Sequence, residues 1–225
     1  MKLPLILLLA STLFACDANP ETSDNALTAT EVNESLTDPG VQEDEADLQQ
    51  IDTDEMLVTT ALLAAPEASR DGAKVIGYNM AGEFVTLREG NNEFICLADD
   101  PRDDKFSAAC YHKDLEPFMA RGRELKAEGM GGRDIFAKRE EEVKSGQLKM
   151  GEMGNTLHVY SGPSALYNPT TNEVADAHYR YVVYVPFATA ASTGLPESPI
   201  APNHPWIMDP GTHTAHIMIS PQKGE

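Results

Sequence analysis

Between Asp17 and Glu55 the chain carries 13 acidic residues and no Lys or Arg, with Asn, Thr, Ser, Gln and Pro filling most other positions. Such a stretch buries too little apolar area to offset the entropy of ordering it, so it is expected to stay disordered and to confine any folded core to the residues that follow. As a flexible chain its 39 residues span about 34 Å root-mean-square, more with self-repulsion, which makes it a leash. A docking segment or a loose Ca²⁺ binder is the alternative reading of an acidic run, but residues 42–54 lack the alternating ligands and turn glycine of an EF-hand loop. The whole chain sums to −19 from 17 Lys and Arg against 36 Asp and Glu. That balance excludes a sequence-independent grip on nucleic acid, and it disfavours an anionic membrane surface as an electrostatic partner. Without the 13 acids of the leash the remainder carries −19 + 13 = −6.

Ahead of the acidic run stands MKLPLILLLASTLFAC, with a cation at Lys2, an apolar run from Leu3 to Leu9 and small and apolar residues up to Cys16. This is the organisation of an export signal, too short to cross a hydrocarbon layer of about 30 Å. Leu13-Phe14-Ala15-Cys16 resembles the lipobox of bacterial lipoproteins, which implies cleavage after residue 15 and lipid attachment at Cys16; an ordinary secretory signal cut near Ala15 is the alternative. Two or three acyl chains, at about 0.8 kcal/mol per buried methylene, hold far more firmly than one. The expected location is the bacterial cell envelope, with the chain anchored to a membrane through Cys16 and facing the periplasm or exterior. Asp17 resembles an inner-membrane retention signal of some Gram-negative bacteria, and which membrane holds the anchor is left open.

The folded domain is expected over residues 56–220, with 221–225 a short tail. Asp54 is a candidate cap for a helix over 55–65 that Pro66 ends. Residues 74–78, 83–87 and 93–97 are β-leaning runs separated by turn residues, which predicts a hairpin and then a three-stranded meander. Leu115, Phe118, Met119 and Leu125 share one face of a predicted amphipathic helix over 114–128, and a weaker one follows over 134–145. Residues 157–160, 179–185 and 213–219 read as strands, the second rich in Tyr and Val and the last alternating Ala215, Ile217 and Ile219 against His216 and Met218. The expected fold class is α+β: a single domain with a mainly antiparallel sheet and two central helices, preceded by the acidic tail.

Setting Cys16 aside leaves Cys96 and Cys110, an even number in an exported chain. A disulfide between them closes a loop of about 15 residues and contributes about 3 kcal/mol through chain entropy. Buried thiols or a redox dithiol are the competing readings, and C-x-x-C spacing is absent. The intervening Asp99-Asp100 and Asp103-Asp104 read as a solvated hairpin tip. His204, Asp209, His213 and His216 offer zinc-ligand chemistry within a short span, the basis of an alternative reading as a metal-assisted hydrolase, although no H-E-x-x-H spacing is present and structural or surface histidines that satisfy loop amides are the favoured explanation. His213 and His216, three apart, fall on opposite faces of a continuous strand; a strand starting only at Ala215 leaves His213 in a loop. Neither Ser161-Gly162-Pro163-Ser164 nor Ser192-Thr193-Gly194 forms a nucleophile elbow, and no phosphate-binding or haem motif is present, so no cofactor is called for. Trp206 is the single tryptophan, in a segment with five prolines from Pro196 to Pro210; it reads as a core plug from a loop or as an aromatic at a pocket rim.

Three stretches, LREGNN through Cys96, ACYHKDLEPFMA from Ala109, and STGLP with WIMDPGT and AHIMI from Ser192 to Ile219, resemble a family of exported bacterial lipoproteins. The resemblance spans roughly residues 61–219, implies a single domain, and transfers no catalytic residue. Taken together, the sequence supports an envelope protein whose domain binds a small-molecule ligand or another envelope protein, with His204, Trp206, Asp209, His213 and His216 as the candidate pocket or metal residues.

Overall fold

A computed structural model describes residues 47–222. The export signal, Cys16, most of the acidic run and the last three residues lie outside the described residues. The chain runs through β1 (Gln49–Gln50), α1 (Asp54–Leu63), β2 (Lys74–Tyr78), β3 (Phe84–Arg88), β4 (Phe94–Leu97) and β5 (Phe106–His112), then α2 (Glu116–Ala127) and α3 (Gly132–Lys144). It continues through β6 (Thr156–Gly162), β7 (Leu166–Asn168), β8 (Glu173–Val174), β9 (His178–Tyr184), a single turn α4 (Ala190–Thr193), β10 (Trp206–Met208) and β11 (His216–Ile219). Eight strands form one sheet in the order β10-β11-β9-β6-β5-β4-β2-β3, and β1-β7-β8 form a second, small one. The domain is α+β with mostly antiparallel pairing.

Alternation along the strands divides the large sheet into two faces. Cys96, Phe106, Ala108, Cys110 and Tyr160 point to the side covered by α1 and the small sheet, where they pack with Leu57, Ala61, Tyr167 and Val174. Tyr111, Val182, Tyr184 and Met218 point to the other side and pack with Leu115 and Phe118, beneath α2 and α3. Fully buried side chains such as Leu57 and Phe118 each contribute about 2–3 kcal/mol by leaving water. Cys96 and Cys110 are directly opposed on β4 and β5 and joined as a disulfide under α1, where Cys110 Sγ lies 3.3 Å from the Ala61 carbonyl oxygen.

Several boundaries differ from the sequence expectation, each for a local reason. The folded domain begins before residue 56: Gln49 and Gln50 pair with Tyr167 and Leu166, and Ile51 is buried, so the last residues of the acidic run belong to the core. The cap of α1 is Thr53, whose hydroxyl accepts the Met56 amide at 3.2 Å. Asp54 instead reaches the β2–β3 turn and accepts the Met80 amide at 2.8 Å. The meander does not form. β2 and β3 are an antiparallel hairpin, but β4 joins β2 in parallel on its other edge, and Gly90 makes the crossing possible because a methyl group there would collide with the Lys74 backbone. The last strand starts at His216 rather than His213, and Trp206 stands on a strand rather than in a loop. Asp99 is not solvated. It is 2% exposed, accepts the Ser107 amide at 2.7 Å, and burial pushes its pKa up to about 6.

Candidate functional site

The helical layer does not cover the whole of its sheet face. Met218 on β11 pairs with Trp206 on β10 and with Val182 on β9, so the two-residue side-chain period places Trp206, Met208, Met218 and Arg180 on one face. Toward Arg180 that face forms the floor of an open cleft of about 650 Å³. Its wall is residues 199–203, held in place at three points. The Ile207 amide donates to the Pro196 carbonyl at 2.9 Å, the His204 amide closes a turn onto Ala201 at 3.2 Å, and Asn203 Oδ1 accepts the Gln222 amide at 2.6 Å. Pro196, Pro199, Pro202 and Pro205 fix φ along this stretch and lower the entropy lost in holding it.

The lining is apolar and aromatic with few polar groups, the usual make-up of a small-molecule site. Among the described residues it contains no Asp, Glu, Lys or Cys. Arg180 is exposed and, among the described residues, makes no ion pair. His204 Nδ1 is shielded from solvent without a hydrogen-bond partner.

Of the five residues singled out by the sequence, two meet in this cleft, His204 and Trp206. The other three do other work. Asp209 shapes the turn before β11: its carbonyl accepts the Thr212 hydroxyl at 2.8 Å and its carboxylate the Thr214 hydroxyl at 3.2 Å. His216 Nδ1 donates to the Thr214 carbonyl at 2.7 Å, and its ring lies 5.8 Å from that of Tyr184. His213 is fully buried, edge-on to Phe118 at 5.7 Å and Phe136 at 4.7 Å. Neither of its ring nitrogens has a partner, and burial holds its pKa below the usual imidazole value. Among the described residues no three His, Cys, Asp or Glu side chains are grouped to hold a metal ion. The hydroxyls near glycine, Ser161, Ser164 and Ser192, also lie outside the cleft.

The sequence reading missed Arg180, Met208 and Met218. The signal for them is the strand alternation itself, but using it requires the β9-β11-β10 register, which the sequence does not display. A smaller hollow of about 320 Å³ between the end of α1 and Tyr179 and Tyr181 is bridged by structural bonds: the Arg70 guanidinium donates to the Leu63 and Ala65 carbonyls, each at 3.2 Å. No helix among the described residues is long and apolar enough to cross a membrane. No protein family, curated protein or solved structure matches the chain.

Proposed function

We propose that this is a lipid-anchored binding protein of the bacterial cell envelope: Cys16 carries the anchor, the acidic run is the leash, and the domain holds a small ligand in the Trp206 cleft. The observation that carries the binding role is the cleft itself, about 650 Å³ over an indole and two methionines with a proline-stiffened wall. Binding is favoured over catalysis because, among the described residues, the lining offers an imidazole and a hydroxyl but no carboxylate to pair with either in acid-base work. The metal-assisted hydrolase is the weaker reading, because among the described residues no three His, Cys, Asp or Glu side chains are grouped to hold a metal ion. The Cys96–Cys110 bridge supports maturation in an oxidising compartment.

Two measurements test the two halves of this reading. Labelled palmitate is expected in the native protein and not in Cys16→Ala; an unlabelled native protein with its export signal intact refutes the anchor. The single tryptophan makes intrinsic fluorescence a reporter of the cleft alone. Saturable quenching by the uncharged dye N-phenyl-1-naphthylamine is expected, and its absence, together with absent quenching by an anionic relative, refutes the binding site.

A further inference from the structure

We propose that the ligand of this cleft is a free amphiphile bearing one acidic group, a carboxylate, phosphate or sulfonate, which seats on Arg180 while its apolar body lies along Trp206. The inference rests on the binding role assigned above and adds the chemical class.

In a chain with 36 acids and 17 bases, the cleft lining among the described residues holds no acid and one guanidinium. Arg180 stands on the same face as the apolar floor, across β11 from Trp206 by the register of the strands. Among the described residues it makes neither an ion pair nor a side-chain hydrogen bond, whereas Arg102, Arg121 and Arg123 each engage a carboxylate and Arg70, Arg88 and Arg139 donate to backbone carbonyls; of the other described arginines Arg133 alone shares this. A guanidinium left without its natural planar partner, at the edge of an apolar floor, is matched by an acidic group that can accept two parallel N–H bonds.

Trp206, Met208 and Met218 offer a flat, polarisable surface that suits a ring or an acyl chain. His204 also lines the cleft. The cleft volume falls within the range of sites that take one small molecule.

The same acidic group could be a lipid headgroup in a membrane or the end of a free small molecule. The free molecule is favoured, because the chain's −19 opposes approach to an anionic lipid surface, while a single small anion can enter a local basic spot.

The test uses two dyes sharing one ring system, 8-anilinonaphthalene-1-sulfonate and N-phenyl-1-naphthylamine, with Trp206 quenching as the readout. The anion is expected to bind about tenfold more tightly than the neutral dye, as a charge-assisted contact allows. Arg180→Gln is expected to abolish that difference and leave the neutral dye unchanged, Arg180→Lys to retain part of it, and added salt to weaken the anion alone. Because Arg180 is exposed, the variants retain the fold, checked by near-ultraviolet circular dichroism. Equal affinity for both dyes, or a preference that survives Arg180→Gln, overturns the acidic-group inference while leaving the binding role standing. Vesicles containing phosphatidylglycerol that shift the Trp206 emission at lower concentration than free laurate does overturn the choice of a free molecule. If neither dye quenches Trp206, the binding role itself falls.

Discussion

The two faces of the large sheet solve the same burial problem in opposite ways. Under α1, the buried polar groups are matched and the strands are covalently joined. Tyr160 Oη accepts the Val174 amide at 3.1 Å and donates to the Val174 carbonyl at 3.4 Å, its ring stacks on Tyr179 at 4.4 Å, and Cys96 and Cys110 are bridged. Under α2 and α3, His213 has both ring nitrogens unpartnered and Arg139 has its Nε unpartnered, with the Arg139 guanidinium 4.0 Å over the Phe118 ring. That layer is fastened at its rim, where Arg121 makes hydrogen bonds of 3.0 and 2.9 Å to the Glu142 carboxylate. Matched groups and a covalent link resist opening. The α2–α3 face is matched only in part: Tyr111 Oη donates to the Glu116 carboxylate at 2.5 Å, while the unmatched nitrogens leave the layer sensitive to the medium.

The disulfide gives the largest way to break this contrast. Replacing both cysteines by Ala is expected to cost about 3 kcal/mol and roughly 10 °C in melting temperature, read by calorimetry. A loss under about 1 kcal/mol removes the idea that the α1 face owes its firmness to the bridge.

Next comes Asp99, at the end of the bridged strands. Folding raises its pKa from 3.8 to about 6, so the native state holds a proton that the unfolded chain has released. Its stabilising contribution is complete below pH 4 and is lost as pH rises through 6. Asp99→Asn keeps an oxygen for the Ser107 amide and is expected to stabilise the protein at pH 7.5 by about 2 kcal/mol, with the slope between pH 4 and 6 flattened in urea titrations. An unchanged slope refutes the assignment.

His213 gives the opposite sign. Folding lowers its pKa, so it contributes stability above its unfolded value of about 6.5, and that stability disappears as pH falls. The charges facing it are Arg139, Glu140 and Lys144 on α3 and Asp209 in the turn before β11, while α2 presents Phe118. His213→Leu removes two unpartnered nitrogens and is expected to add about 1 kcal/mol at pH 7.5 and more at pH 5. Acid unfolding followed by circular dichroism reads it, and a midpoint that does not move downward in pH contradicts it.

The smallest effect is at the rim. The Arg121 hydrogen bonds hold the Glu142 carboxyl below its usual pKa, which adds acid sensitivity to the same face. Glu142→Gln is expected to cost about 0.5 kcal/mol, declining with added salt. A salt-independent loss instead marks the contact as packing.

What could be read from the sequence divides along physical lines. Strands whose alternation is strong, such as β9 and β11, and helices with a clear apolar stripe, such as α2, are legible because the signal is local. β5 was hidden because its small residues, FSAAC, carry weak propensity and follow a charged turn. β10 was hidden by the prolines around it. The parallel β2–β4 pairing joins strands separated by β3, and no local pattern encodes it. For the cleft, His204 and Trp206 were legible as chemistry near a turn-rich segment. Arg180 was not, since only the alignment of three strands brings it to them. His213 was legible as a candidate ligand, but its enclosure between Phe118 and Phe136 is a property of helix packing.

The short pairing of β1 with β7 has a mechanical consequence. Force applied through the chain ahead of the domain first meets Gln49 and Gln50, then the turn into α1, all on the bridged side of the sheet. Trp206 and the cleft over it lie on the reverse face of the sheet, so the point of load and the cleft are separated by the sheet itself.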